Sequence, residues 1–251
     1  MDRLQLDKNA KLTGRVYFKD EVMWLGLSGS GASFTFDGTK LVLKLKGDNI
    51  AVGDNPIDYA RIAVYVDGKR VVDEMIDCAE KEITVIDRTE NAQSVVEIIK
   101  LSESPMSAVG VEAFAEGSAE ALPEKPLKIE FIGDSITCGY GVDDEDENHQ
   151  FTTATEDVTK AYAYKTAKAL DAEYSMFSAS GYGIISGYTE GDEPISEQTI
   201  PQFYCSYGFS RGNFAGTAPQ DIPWDFSKYI PQIIVINLGT NDDSYCRDYK
   251  D

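Results

Sequence analysis

Histidine is almost missing: His149 is the only one in 251 residues. A serine nucleophile usually needs a histidine base, so any such chemistry here has one internal candidate. Cysteine is scarce too. Cys78, Cys138, Cys205 and Cys246 lie far apart and form no C-x-x-C pair, which argues against a structural zinc site. Basic residues are few, 23 against 43 acidic, giving a formal charge of -20. That balance argues against nucleic acid and anionic membranes as partners and suits a neutral substrate such as a sugar. No run of 18 apolar residues is present, so no helical membrane span is expected. The opening "MDRLQLDKNAKL" has no apolar core of a Sec signal, so the chain as written reads as cytoplasmic, unless a leader was removed. Internal repeats and low-complexity tracts are absent.

What is present divides into two halves. The first is written in strands. "KLVLKLKGD" alternates, with Leu41, Leu43 and Leu45 on one face and Lys44 and Lys46 on the other. "RIAVYVDGKRVVDEM" and "ASFTFDGTKLVLKL" each carry Asp-Gly between apolar runs, at 67–68 and 37–38, which predicts two hairpins. "EITVID", "SVVEIIKL" and "AVGVEAFAEG" add strands, and the sum predicts an antiparallel β-sandwich over residues 1–118. "EGSAEALPEKPLK" holds the linker, placed at 119–126. Residues 127–251 change to α/β grammar. "LKIEFIG" is a strand, "TEDVTKAYAYKTAKALDA" a helix with Val158, Ala161, Tyr162, Ala169 and Leu170 near one face, and "EYSMFSASG" a strand. Thr155 or Asp157 is expected to cap the helix. The apolar run Ile233 to Leu238 reads as a strand buried on both faces of a parallel sheet.

Three of these strands end in residues that carry chemistry: Gly133-Asp134-Ser135, Ser180-Gly181-Tyr182-Gly183, and Gly239-Thr240-Asn241-Asp242. Parallel sheets bind ligands beyond their carboxyl ends. If the strands are neighbours, a hydroxyl, glycine N–H groups and a carboxamide converge, as acyl transfer requires. Asp134 is expected to orient the turn, and a helix after Ser135 to add its positive end.

"IGDSITCGYG", "SASGYGI" and "VINLGTND" resemble the three blocks of the SGNH (GDSL-type) hydrolases, and the whole chain resembles the acetyl esterases of carbohydrate esterase family 2. The preceding all-β half, "TEDVTKAYAYKTA" and "WDFSKYIPQIIVINLGTND" point to that branch. The resemblance implies a jelly roll joined to a three-layer α/β domain. It implies Ser135 as nucleophile, with oxyanion donors from Ser135 itself, from Gly181 (or Gly183) and from the Asn241 side chain. It implies an acetylated oligo- or polysaccharide as substrate, and no cofactor or metal. The family's late histidine block has no match here, so the α/β domain is expected to be incomplete at its C-terminus, with an apolar face and an unpaired strand edge exposed. The acidic ending "DDSYCRDYKD" is not expected to cover them.

The other candidates have plainer readings. His149 sits in an acidic loop and is a minor alternative base. The run Asp143 to Glu147 lacks the spacing of a calcium loop. Cys138 is expected to be a buried, inert thiol. Phe203, Tyr204, Tyr207, Phe209 and Phe214 are mostly packing, Trp224 anchors a loop, and Tyr140 and Tyr182 flank the site as substrate contacts. Two other functions stay open: a general SGNH esterase or thioesterase, and a carbohydrate-binding protein without turnover.

Overall fold

The structure, a computed structural model, describes residues 1–246. Nine strands of the first half form one antiparallel sheet: β1 Asp2–Leu4, β2 Lys11–Thr13, β3 Val16–Lys19, β4 Val22–Leu25, β5 Gly31–Gly47, β6 Ala60–Val66, β7 Lys69–Ile76, β8 Glu80–Lys100 and β9 Val109–Ala121. Hydrogen bonding follows the order β3-β4-β9-β5-β8-β6-β7, with β1 on β9 and β2 on β5. The alternation seen in sequence decides which face is buried: Phe34, Phe36, Leu41, Leu43 and Leu45 of β5 are sealed into one cluster with Ile62, Val64, Val96, Ile98 and Val111.

The two Asp-Gly signals have different outcomes. Asp67 and Gly68 have φ of 51° and 78° and form the expected two-residue turn between β6 and β7. Asp37-Gly38 makes no hairpin. β5 runs straight through it, with a register shift between Gly38 and Lys40. Gly38 lies opposite Gly117, and a Cβ at Gly38 would meet the Glu116 carbonyl at 2.4 Å. Close approach of two backbones, not a turn, is what requires glycine there. β8 likewise merges two expected strands, and β9 runs on to Ala121, through the first part of the expected linker.

The second half contains a three-stranded parallel sheet: β10 Lys128–Gly133, β11 Glu173–Ser178 and β12 Ile233–Asn237, with β10 in the centre. The expected long helix is cut down to Tyr162–Ala169. Asp157 uses its carboxylate to cap a separate 3-10 turn, accepting from Thr159 N, so the chain straightens before the helix starts. Ala163 and Ala167, not Ala169 and Leu170, are the buried positions of that helix.

β12 is not buried on both faces as its sequence suggested. Among the described strands it pairs only with β10, and Ile233, Ile234 and Ile236 are 44%, 53% and 63% exposed. The exposed apolar edge expected on other grounds is therefore present. The acidic ending lies partly in residues 247–251, outside the described residues. No helix among the described residues is long and apolar enough to cross a membrane.

The two halves are joined by side chains. Arg15, fully buried, donates to the carbonyls of Tyr204 and Ser206 at 2.6 Å each and pairs with Glu130 of β10 at 3.4 Å. Its guanidinium lies over Phe177 at 4.4 Å and Tyr204 at 4.8 Å. Trp224, the expected loop anchor, belongs to the same box, with Arg15 5.3 Å from its ring.

Candidate active site

Strand register brings the three sequence blocks together. Gly133 lies beside Ser178 on one side and Asn237 on the other, so all three strands end level. The loops that follow share the carboxyl edge of the sheet, where parallel sheets place ligands.

The first loop turns at once into a short helix, Ser135–Cys138. Asp134 caps it, its carboxylate accepting from Ile136 N at 3.1 Å. That is the orienting part expected of Asp134. Gly133 is required because a Cβ there would sit 2.0 Å from Thr137 Oγ1. Gly139 ends the helix at φ 85°, where a Cβ would meet the Asp157 carbonyl at 2.7 Å. Ser135 is half-buried, and among the described residues neither its hydroxyl nor its backbone N–H has a hydrogen-bond partner.

The second loop carries two candidate glycines. Gly183 N–H donates to the Gln198 carbonyl at 3.2 Å. Gly181 N–H has no acceptor among the described residues. Gly181 has φ of 80°, and a Cβ there would meet nothing within 4 Å, so its glycine answers to backbone conformation. Tyr182 is half-buried and packs on Phe209 and Phe203, at centroid distances of 5.0 and 6.1 Å.

The third loop ties back to the second. Asn241, buried, donates from Nδ2 to the Tyr182 carbonyl at 2.8 Å. A carboxamide has two N–H donors, so one is left for a ligand. Asp242 was named in sequence only as the end of the third block, with no role of its own, yet it accepts from Ile184, Ile185 and Ser186 N at 2.6–3.1 Å. Burial pushes its carboxyl up, but these backbone donors outweigh that and hold it below the usual carboxylate range. Such a carboxylate stabilises the fold above its unfolded-state pKa, and the contribution is lost as pH falls through the lower folded-state value. Asp242→Ala is therefore expected to speed amide exchange at Ile184–Ser186 at neutral pH. Wild type should approach the variant only well into the acidic range. Equal exchange in the two at neutral pH would refute the tether.

His149 is 64% exposed on its side chain and hydrogen-bonds Asp144 at 2.8 Å; no hydrogen bond joins it to Ser135 among the described residues. Tyr140, exposed, stacks on Phe151 at 4.0 Å and 10°, and both line an open cavity that His149 and Asp144 also border. Cys138 is buried, and burial raises its thiol well above the ordinary value, so it is no nucleophile. Tyr207, Phe209 and Phe214 are buried packing.

A charged group beneath these loops escaped the sequence reading. Lys100, Glu103 and Glu156 are fully buried beside Cys138. Glu103, Cys138 and Glu156 place donor atoms within 4.8 Å of one another, close enough to hold a cation. The Lys100 ammonium already supplies positive charge there; burial lowers it to about 8.

Comparison with known proteins adds the lineage. Residues 12–126 match the family model "Carbohydrate esterase 2 N-terminal". The whole fold resembles a family two carbohydrate esterase from Clostridium thermocellum solved in complex with cellohexaose (TM-score 0.76, 28% identity, 94% of this chain and 67% of that one). The chain resembles the family 2 carbohydrate esterases in both sequence and fold. Among curated relatives, the "Cellulase/esterase CelE" of Acetivibrio thermocellus is 32% identical over 218 residues, covering 86% of this chain and 24% of that protein. An "Acetylxylan esterase / glucomannan deacetylase" of Cellvibrio japonicus is 29% identical over 243 residues, covering 94% of this chain and 62% of that protein. The chain thus spans less than two thirds of either of these relatives.

Proposed function

We propose that this protein is a serine carboxylic ester hydrolase that removes acetyl groups from acetylated oligo- or polysaccharides. The observation that carries the reading is the set of unengaged donors at one sheet edge: the N–H groups of Ser135 and Gly181 and the second N–H of Asn241. In this scheme Ser135 Oγ attacks the acetyl carbonyl, and its proton passes by way of a general base to the departing sugar oxygen. The oxyanion is held by those three donors, the sugar hydroxyl leaves, and water releases acetate from the acetyl-serine. Gly181 is favoured over Gly183 because the Gly183 N–H is already engaged. Tyr140 is the more accessible of the two proposed substrate contacts. The names of the relatives, acetylxylan esterase and glucomannan deacetylase, support the substrate class. The matching fold reading is a jelly roll over 1–118, a linker at 119–126 and a three-layer domain from 127. The bulged, continuous sheet around one core supports its first part, and the family match ending at 126 supports the boundary.

Acetate release from acetylated xylo-oligosaccharides tests the reading, run on the chain and on Ser135→Ala. The alanine variant should lose at least about 10³-fold, more than the loss of one oxyanion donor. Equal rates in the two would refute Ser135. His149→Ala alongside asks whether that histidine is the base, and an equal loss would make it so. Preference for long-chain esters would favour the general esterase reading. Binding of the oligosaccharide with no turnover would favour the non-catalytic one.

A further inference from the structure

The loop that carries Gly181 is held from the other half of the molecule. Glu103 lies just past the end of β8, in the antiparallel half. Its Oε2 accepts from Ser180 N at 2.5 Å. The same oxygen lies 3.8 Å from the Cys138 thiol, on the helix that begins with Ser135, and that thiol contacts Ser178 Oγ at 3.3 Å. Glu103 is itself fixed at its backbone: its N–H donates to Glu156 Oε2 at 2.9 Å, and its carbonyl accepts from Lys100 Nζ at 3.0 Å. Lys100, Glu103, Cys138 and Glu156 are fully buried, and Ser180 is half-buried at the edge of the group.

We propose that Glu103 is the positioning residue of the Gly181 loop, fixing the Ser180–Gly181 backbone so that the Gly181 N–H faces the hydroxyl side of Ser135. Its role in turnover rests on the esterase reading above; its hold on the loop does not. Ser180 N–H and Gly181 N–H belong to consecutive peptides. Locking the first leaves little freedom for the second, although Gly181 is the residue type with the widest conformational range. Glu103 Oε1 and Glu156 Oε1 are both buried without a partner, which fits a proton shared across the pair. Burial raises both carboxyls, in agreement. A glutamine at 103 copies that protonated form: its carbonyl can still accept from Ser180 N, and its amide can donate toward Glu156.

Three variants test this: Glu103→Ala, Glu103→Asp and Glu103→Gln. Asp keeps the charge but withdraws the oxygen by one methylene. Amide resonances of Ser180 and Gly181 are followed in the full chain by 1H–15N NMR, beside steady-state kinetics on an acetyl ester. Ala and Asp should both move the Ser180 proton upfield and shift Gly181, and Gln should restore most of the difference. If Ala does not fold, Asp carries the comparison. Where turnover is measurable, kcat should fall about 10²-fold in Ala, the scale of losing one oxyanion donor, with KM little changed and Gln recovering most of the rate. Unmoved Ser180 and Gly181 amides in Ala or Asp would overturn the proposal. So would moved amides with kcat within about twofold of wild type. A wild-type chain without turnover counts against the esterase reading alone, since the amide shifts still decide whether Glu103 sets the loop.

Discussion

Arg15→Ala should lower unfolding stability by about 3–5 kcal/mol, the usual cost of removing one partner of a buried ion pair. Three effects add in one direction. Glu130 would be left buried with only Tyr204 OH as a side-chain donor, at 2.6 Å. The carbonyls of Tyr204 and Ser206 would lose the guanidinium N–H that serves both. The rings of Phe177, Tyr204, Trp224 and Phe226 would close on a void where the cation lay. Arg15→Lys should recover only part of the loss, because an ammonium has no planar fork to span two carbonyls and stack on rings. Urea unfolding measures both variants, and a loss under about 1 kcal/mol for the alanine would place the pair among the weak surface bridges.

Lys100→Met should also lower stability near neutral pH, and its cost should depend on pH. Methionine fits the stem but removes the cation facing Glu103 and Glu156. Burial already holds both carboxyls above their ordinary range. An acid whose folded-state pKa is raised destabilises the fold as pH climbs from the unfolded-state value toward the folded one. Without Lys100 the folded values rise further, and that window widens upward. The deficit of Lys100→Met against wild type should therefore shrink on going from about pH 7.5 to about pH 5, as the pair becomes protonated in both proteins. Urea curves at the two pH values decide it. A deficit that stays constant would mean that Lys100 matters for packing and for its bonds to the Ser102 and Glu103 carbonyls, not for charge.

The parts legible in sequence were those with local signals. Gly133, Ser135, Gly181 and Asn241 each close or follow an apolar strand, which brought them to one sheet edge on the condition that the strands were neighbours, and the register supplies that condition. The misses are non-local. Asp37-Gly38 and Asp67-Gly68 are identical dipeptides; only the partner strand, with Gly117 opposite Gly38, separates a bulge from a turn. The helix after Asp157 was overdrawn because one carboxylate diverts the chain into a 3-10 turn before it. β12 reads as interior because its isoleucines are apolar, but burial depends on a neighbour and not on the strand itself. Glu103 and Ser180 are 77 residues apart, and Arg15 and Glu130 are 115 apart. No window of sequence joins such pairs, although a charged residue closing a buried strand, as in "IIKLSES", is a hint that the charge has a partner elsewhere.

Arg15 and Glu103 also bear on how such a protein can be divided. Both lie inside the stretch matched by the N-terminal family model, residues 12–126, yet each directs its side chain into the other half. A cut at the linker would leave Glu130 without Arg15 and the Ser180 N–H without Glu103. The halves are therefore not interchangeable modules. Transplanting the α/β half onto another β domain would have to carry an arginine and a carboxylate at matching points, and recombination between relatives should succeed only where both travel with it.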